Sequence, residues 1–229
     1  MLNTQPTPKS DPNRWLFVAS ATGIAAMMFM GFAKNYYLRF WFGTRVISVM
    51  VHIHGLIMTA WVVLFLTQTL LVANRRTDLH RKFGLAGASL AITVVGLGVY
   101  TIAGSIARQH LDTTARTYAL AFVAFDGLSL LLFGGLVLTA LGLRSRPQPH
   151  KRLMLMAMLS LLPPAFGRFV AYFAPDNERV IVPLLMCGSV LLCVFIDTRR
   201  NRRLHPAFAW SGALVLLANL LTYFAQIVD

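Results

Sequence analysis

Seven stretches of this chain are each long and apolar enough to cross a bilayer, and little sequence is left over to build anything else. They fall at about 15–33, 46–73, 84–106, 118–142, 153–173, 180–197 and 207–227. Crossing roughly 30 Å of hydrocarbon takes about 20 residues of α-helix, which satisfies every backbone N–H and C=O within itself. The polar joints are short, so residues 1–229 read as a single integral membrane domain, all-α, with seven transmembrane helices. Composition agrees, with 57% of residues hydrophobic and 13% charged, where a soluble domain carries about 25% charged residues. The run Met1–Asn13 has no signal-peptide layout and no small-residue cleavage site ends the first apolar stretch, so that stretch reads as a retained helix.

The formal charge is +13, from 21 Lys and Arg against 8 Asp and Glu. In a soluble protein this would point to nucleic acid, but so apolar a chain has too little surface for that role, and no nucleic-acid partner is expected. Sorted by loop, the cations become a topological signal. Lys9, Arg14, Arg75, Arg76, Arg81, Lys82, Arg144, Arg146, Lys151, Arg152, Arg199, Arg200, Arg202 and Arg203 fall on one face. Lys34, Arg39, Arg45, Arg108, Arg116 and Arg179 fall on the other, and Arg168 lies inside a span. The positive-inside rule then puts the N-terminus in the cytoplasm and Asp229 outside, in a cell's inner membrane, with the first group beside anionic headgroups. Cys187 and Cys193 share one apolar run, which leaves neither a disulfide framework nor a zinc knuckle.

The second and third spans resemble the fourth and fifth. His54-Gly55-Leu56 matches Asp126-Gly127-Leu128, Trp61 matches Phe133, and Leu64-Phe65-Leu66-Thr67 matches Leu136-Val137-Leu138-Thr139 without a gap. The next span opens with His80-Arg81-Lys82 in one copy and His150-Lys151-Arg152 in the other. Two such hairpins of the same orientation form a duplicated-hairpin four-helix core about an axis along the membrane normal. Leucine-rich helices also align by chance; the matching positions here include the rare polar ones. Duplication places His80 opposite His150 near the inner surface, and His54 opposite Asp126 in the outer half.

Ionisable groups inside spans are costly and mark candidate sites. His54, Asp126 and Arg168 lie at similar depth. His52 shares that depth, but two residues along a helix turn it by about 200°, so only one of the two histidines faces a given centre. His54 is the inward one, with Met58, Trp61, Phe65 and Gln68 continuing its stripe, which is equally the pattern of ordinary packing. Asp126 and Arg168 read either as a buried ion pair or as a proton-relay carboxylate and an anion clamp. Pro163-Pro164 removes two backbone donors and predicts a kink or break. His80 and His150 read as interfacial anchors or as ligands of a shared cofactor, roughly 30 Å from His54 along regular spans. His110 and His205 read as solvated loop residues. Met154, Met156 and Met158 alternate by two and form no sulfur ladder. The seventh span has no Lys for a retinal Schiff base.

His54-Gly55-Leu56-Ile57-Met58, Trp61, Gln68 and Leu79-His80-Arg81-Lys82-Phe83-Gly84 resemble the hairpin of a group of uncharacterised bacterial multi-pass membrane proteins with a Leu-His-Arg-x-x-Gly motif. More distantly, residues 50–170 are similar to the ascorbate-reducible transmembrane cytochromes b, whose four-helix core holds two b-type haems. That resemblance implies ligand-like positions for His54, His80 and His150, haem b as cofactor, and Trp61 packed against it or bridging two levels. This chain departs by placing Asp126 where a second outer histidine would stand. His80 and His150 also sit at helix ends rather than within spans.

The leading expectation is therefore a b-type cytochrome-like electron carrier or haem-binding accessory subunit, with a quinone or another membrane redox protein as partner. The alternatives are a cofactor-free proton-coupled transporter using His54, Asp126 and Arg168 with the Pro163-Pro164 break as gate, and a structural or assembly protein.

Overall fold

The computed structural model describes residues 13–44, 46–108 and 113–228; Lys9, Arg45, His110 and Asp229 lie outside them. Among the described residues there is no strand. The helices are α1 (Arg14–Phe32), continued by a π-helical turn (Ala33–Tyr37), α2 (Arg39–Phe42), α3 (Val49–Ala73), α4 (Thr77–Arg108), α5 (Thr113–Gly142), α6 (Pro147–Ser160), α7 (Pro163–Ala171), α8 (Glu178–Asn201) and α9 (Pro206–Val228). Six helical stretches are long and apolar enough to cross a membrane, and α6 with α7, bent by 41° at their break, brings the number to seven if the pair is one span.

Local chemistry sets the ends. Gly43, at φ +60°, takes the left-handed conformation that closes α2 and that a side chain would disfavour. Ser48 caps α3 by accepting from Val51 N at 3.4 Å. Pro147 and Pro206 stand at first helical positions, where the missing N–H costs nothing. Pro163-Pro164 breaks the fifth span as its sequence predicts. The tight turn around Leu161 and Leu162 bonds Leu162 N to Leu159 O, and Ala165 N and Phe166 N both reach Leu162 O.

The basic loops gather at one end of the bundle, called here the basic end. α1 packs on α3 and α7; α3 on α4; α4 on α5; α5 on α6 and α9; α8 on α9. At the centre stands α6, against α5, α9, α1 and α8, with Leu153, Leu155, Met156 and Ala157 all fully buried. A stretch apolar on every side, as residues 153–159 are, needs such a central place. Val49, Leu56 and Val63 of α3 and Leu85 and Val99 of α4 instead face outward, as lipid requires. Phe40 and Trp41, more than 80% exposed on α2, suit the membrane–water boundary at the far end.

One crossing is unusually close. A Cβ on Gly31 of α1 would stand 2.8 Å from Ala165 Cα of α7, and Tyr172 Oη donates to Gly31 O at 3.0 Å.

Candidate functional site

Polar and aromatic side chains gather at three levels along the bundle. At the basic end, α4 and α6 each begin with a histidine in their first turn, held by equivalent backbone bonds, His80 N to Arg76 O and His150 N to Arg146 O. The rings of His80 and His150 meet edge to face, with centres 6.3 Å apart and planes at 79°. His150 Nδ1 lies 2.7 Å from Ala140 O, a contact that makes Nδ1 the protonated nitrogen and leaves Nε2 as the lone-pair nitrogen. Gln68 Nε2 donates to His80 O at 3.2 Å. His80 Nδ1 and Gln68 Oε1 are buried without partners.

In the middle, Trp61 of α3 meets Phe133 of α5 edge-to-face, centres 5.2 Å apart, both buried. Trp61 Nε1 has no partner either.

Toward the far end, Arg168 donates from Nη1 to Pro164 O at 3.0 Å and lies over the Phe32 ring at 4.5 Å. Its charge reaches both His54 and Asp126. Among the described residues, Arg168 and Asp126 sense each other without joining in a contact ion pair. His54 Nδ1 is buried and unpartnered. His52 points elsewhere, its ring beside Tyr36 at 5.8 Å. The helical geometry of the two histidines thus separates them as their spacing requires.

The fully buried ion pair is a different one. Arg152 Nε and Nη2 donate to the two carboxylate oxygens of Asp197 at 2.9 and 2.8 Å, and both side chains are almost wholly inaccessible. Asn13 Nδ2 donates to the same carboxylate at 2.6 Å, and Arg152 Nη1 donates to Gln148 Oε1 at 2.7 Å. By sequence Arg152 belonged with the solvated cations of a basic loop, and Arg168 was the cation set apart. The structure reverses that contrast: Arg152 is sealed between α6 and α8, and Arg168 is exposed at the bundle surface. The signal available in the sequence was Asp197, an acid standing alone before Arg199 and Arg200 at the end of an apolar span.

His205 is also not a simple solvated residue. Its Nδ1 accepts from Ala207 N at 3.1 Å and so caps α9. Partial burial, together with the nearby Arg152 charge, holds its pKa below the usual histidine value. A histidine kept neutral by the fold contributes stability above its unfolded pKa, about 6.5, and that stability is lost as pH falls below it. Protonation also removes the capping acceptor. His205→Asn, which keeps a capping acceptor without the titration, is expected to flatten the fall in thermal midpoint between about pH 6.5 and 5, measured by melts across that range.

Compared with protein-family models, curated proteins and solved structures, the chain matches none.

Proposed function

We propose that the chain is a b-type cytochrome-like electron carrier in which His80 and His150 hold one haem b. The His80–His150 pair carries this reading. Two imidazoles on opposite sides of one metal, each through a nitrogen about 2 Å away, place their ring centres roughly 6 Å apart, and the pair stands at 6.3 Å. Metal-bound histidines commonly give their other N–H to a backbone carbonyl, as His150 does to Ala140. The orphaned His80 Nδ1 and Gln68 Oε1 mark a place where polar burial is incomplete. Among the described residues no three His, Cys, Asp or Glu cluster as metal ligands. A two-histidine set suits a macrocycle that brings its own four nitrogens. A haem iron there would supply one-electron transfer.

The reading takes α3–α4 and α5–α6 as duplicated hairpins about an axis along the membrane normal. Three equivalent pairs support it: His80 with His150, Trp61 with Phe133, and Gln68 with Ala140, each of which touches the histidine of its own copy. At the far level Asp126 takes the place of a second histidine, so one haem is proposed rather than two. His54, Asp126 and Arg168 then form a polar site for a quinone or for proton exchange with it. By its cations the basic end is cytoplasmic, in the inner membrane.

Purified from cells supplied with haem precursor, the protein should show a Soret band and α/β bands that sharpen on reduction. His80→Ala or His150→Ala should abolish or displace them, and His205→Ala should not. A colourless, iron-free preparation overturns the reading.

A second reading, a cofactor-free proton-coupled carrier, expects that colourless outcome. It is favoured by the column of unpartnered buried atoms His54 Nδ1, Trp61 Nε1 and Gln68 Oε1. They recur every seven residues along α3, roughly 10 Å apart, on the face that leads to His80.

A further inference from the structure

We infer that Gln68 is the positioning residue of His80: its carboxamide clamps the first turn of α4 to α3 and so holds His80 with its proton on Nδ1, leaving Nε2 as the lone-pair nitrogen of both histidines of the pair. The use of that nitrogen on a haem iron rests on the reading above. The place of the proton is carried by contacts within the chain.

His150 shows what such a ring requires. Its Nδ1 lies 2.7 Å from the backbone oxygen of Ala140, ten residues back across the turn from α5 to α6. Gln68 matches Ala140 when the two hairpins are aligned, but His80 follows Gln68 by twelve residues. The longer connection coincides with a looser contact. The Gln68 backbone carbonyl acts on the His80 ring as an acceptor, yet Nδ1 makes no full hydrogen bond. Where Ala140 has only a methyl group, Gln68 has an amide, and its Nε2 donates to His80 O at 3.2 Å. That bond ties α4 to α3 at the residue whose ring the carbonyl must hold.

The remaining atoms decide the tautomer. Gln68 Nε2 donates to His80 O and does not reach Nδ1. What Gln68 then has left for the ring is acceptors, its backbone carbonyl and the buried, unpartnered Oε1. A lone pair on Nδ1 would add another buried acceptor with no donor, whereas a proton there supplies the donor. Outer contacts of this kind fix the tautomer and orientation of a ligating histidine.

The test uses the full chain in detergent, free of haem and labelled with nitrogen-15 histidine. At about pH 8.5, well above the ordinary histidine pKa, long-range proton–nitrogen correlations show which nitrogen of each neutral ring carries the proton. His80→Ala and His150→Ala assign the two rings. Both should carry the proton on Nδ1. Gln68→Leu, which removes the amide, should turn His80 into a mixture of the two tautomers and leave His150 unchanged. Where the parent binds haem, Gln68→Leu should bind it on the order of tenfold more weakly, and equal binding overturns the positioning role. His80 protonated on Nε2 in the parent overturns the inference whether or not Gln68→Leu folds, and so does a His80 signal in Gln68→Leu like the parent's. A colourless parent overturns the haem reading alone, since the tautomers are read without haem.

Discussion

Asp197→Ala and Arg152→Ala are each expected to destabilise the protein by about 3–5 kcal/mol, because either leaves a fully buried charge without its counter-ion. The geometry makes the loss large. The guanidinium engages both carboxylate oxygens, and Asn13 and Gln148 satisfy what remains, so no part of either charge is left to solvent. For a chain of this length the thermal midpoint should fall by on the order of 10 °C. The double replacement Arg152→Met with Asp197→Leu should recover most of that loss, since it removes both desolvation penalties together. The residue of destabilisation would come from Asn13 Nδ2 and Gln148 Oε1, which lose their partners. Melts of the parent, the two single variants and the double variant in one detergent check this. A parent-like melt for either single variant would show that the pair is not sealed. The effect should also reach the histidine pair. Arg152 and His150 are two residues apart on α6, on nearly opposite faces, so anchoring Arg152 to α8 aims His150 at α4.

The likeness of the two hairpins led the sequence to expect His80 opposite His150, and the two rings stand 6.3 Å apart; Trp61 and Phe133, matched in the same alignment, stand 5.2 Å apart. The proline pair was legible for a different reason: two missing N–H groups break a helix whatever surrounds it. Arg152 and Arg168 were misjudged in opposite directions because hydropathy measures only the neighbours along the chain. Arg152 lies next to Lys151 and close to Arg146, which reads as a loop, yet α8 brings Asp197 to it from 45 residues away. Arg168 lies in an apolar stretch, which reads as burial, yet its side chain is exposed at the bundle surface. Tertiary contact decided both positions, and no local pattern records it. The capping role of His205 escaped for the same reason, since a loop histidine has many possible fates and only the α9 backbone selects this one.

Gly31→Ala is expected to be the most damaging single-methyl change among the glycines whose surroundings are described. Its new Cβ would lie 2.8 Å from Ala165 Cα and 2.9 Å from Ala165 C, and closer still to Ala165 O. A flexible side chain could swing away from such a clash, but backbone cannot, so α1 and α7 must separate. In a bilayer, small residues are what let two helices approach this closely, and the packing and hydrogen bonds gained there hold the helices together. Separation would lengthen the Tyr172 Oη to Gly31 O bond and draw Phe32 from beneath the Arg168 guanidinium. Overpacking of this kind costs about 1–3 kcal/mol. Here the cost would be accompanied by a loosened Arg168, and so by a changed charge around His54 and Asp126. Gly23→Ala on the same helix is the control: a Cβ there meets nothing within 4 Å, so that variant should melt like the parent or slightly above it. Thermal melts of the two variants side by side separate a packing clash at the α1–α7 crossing from a general effect of adding a methyl group to α1. Equal midpoints for both would mean that the two helices do not approach as closely as Gly31 allows.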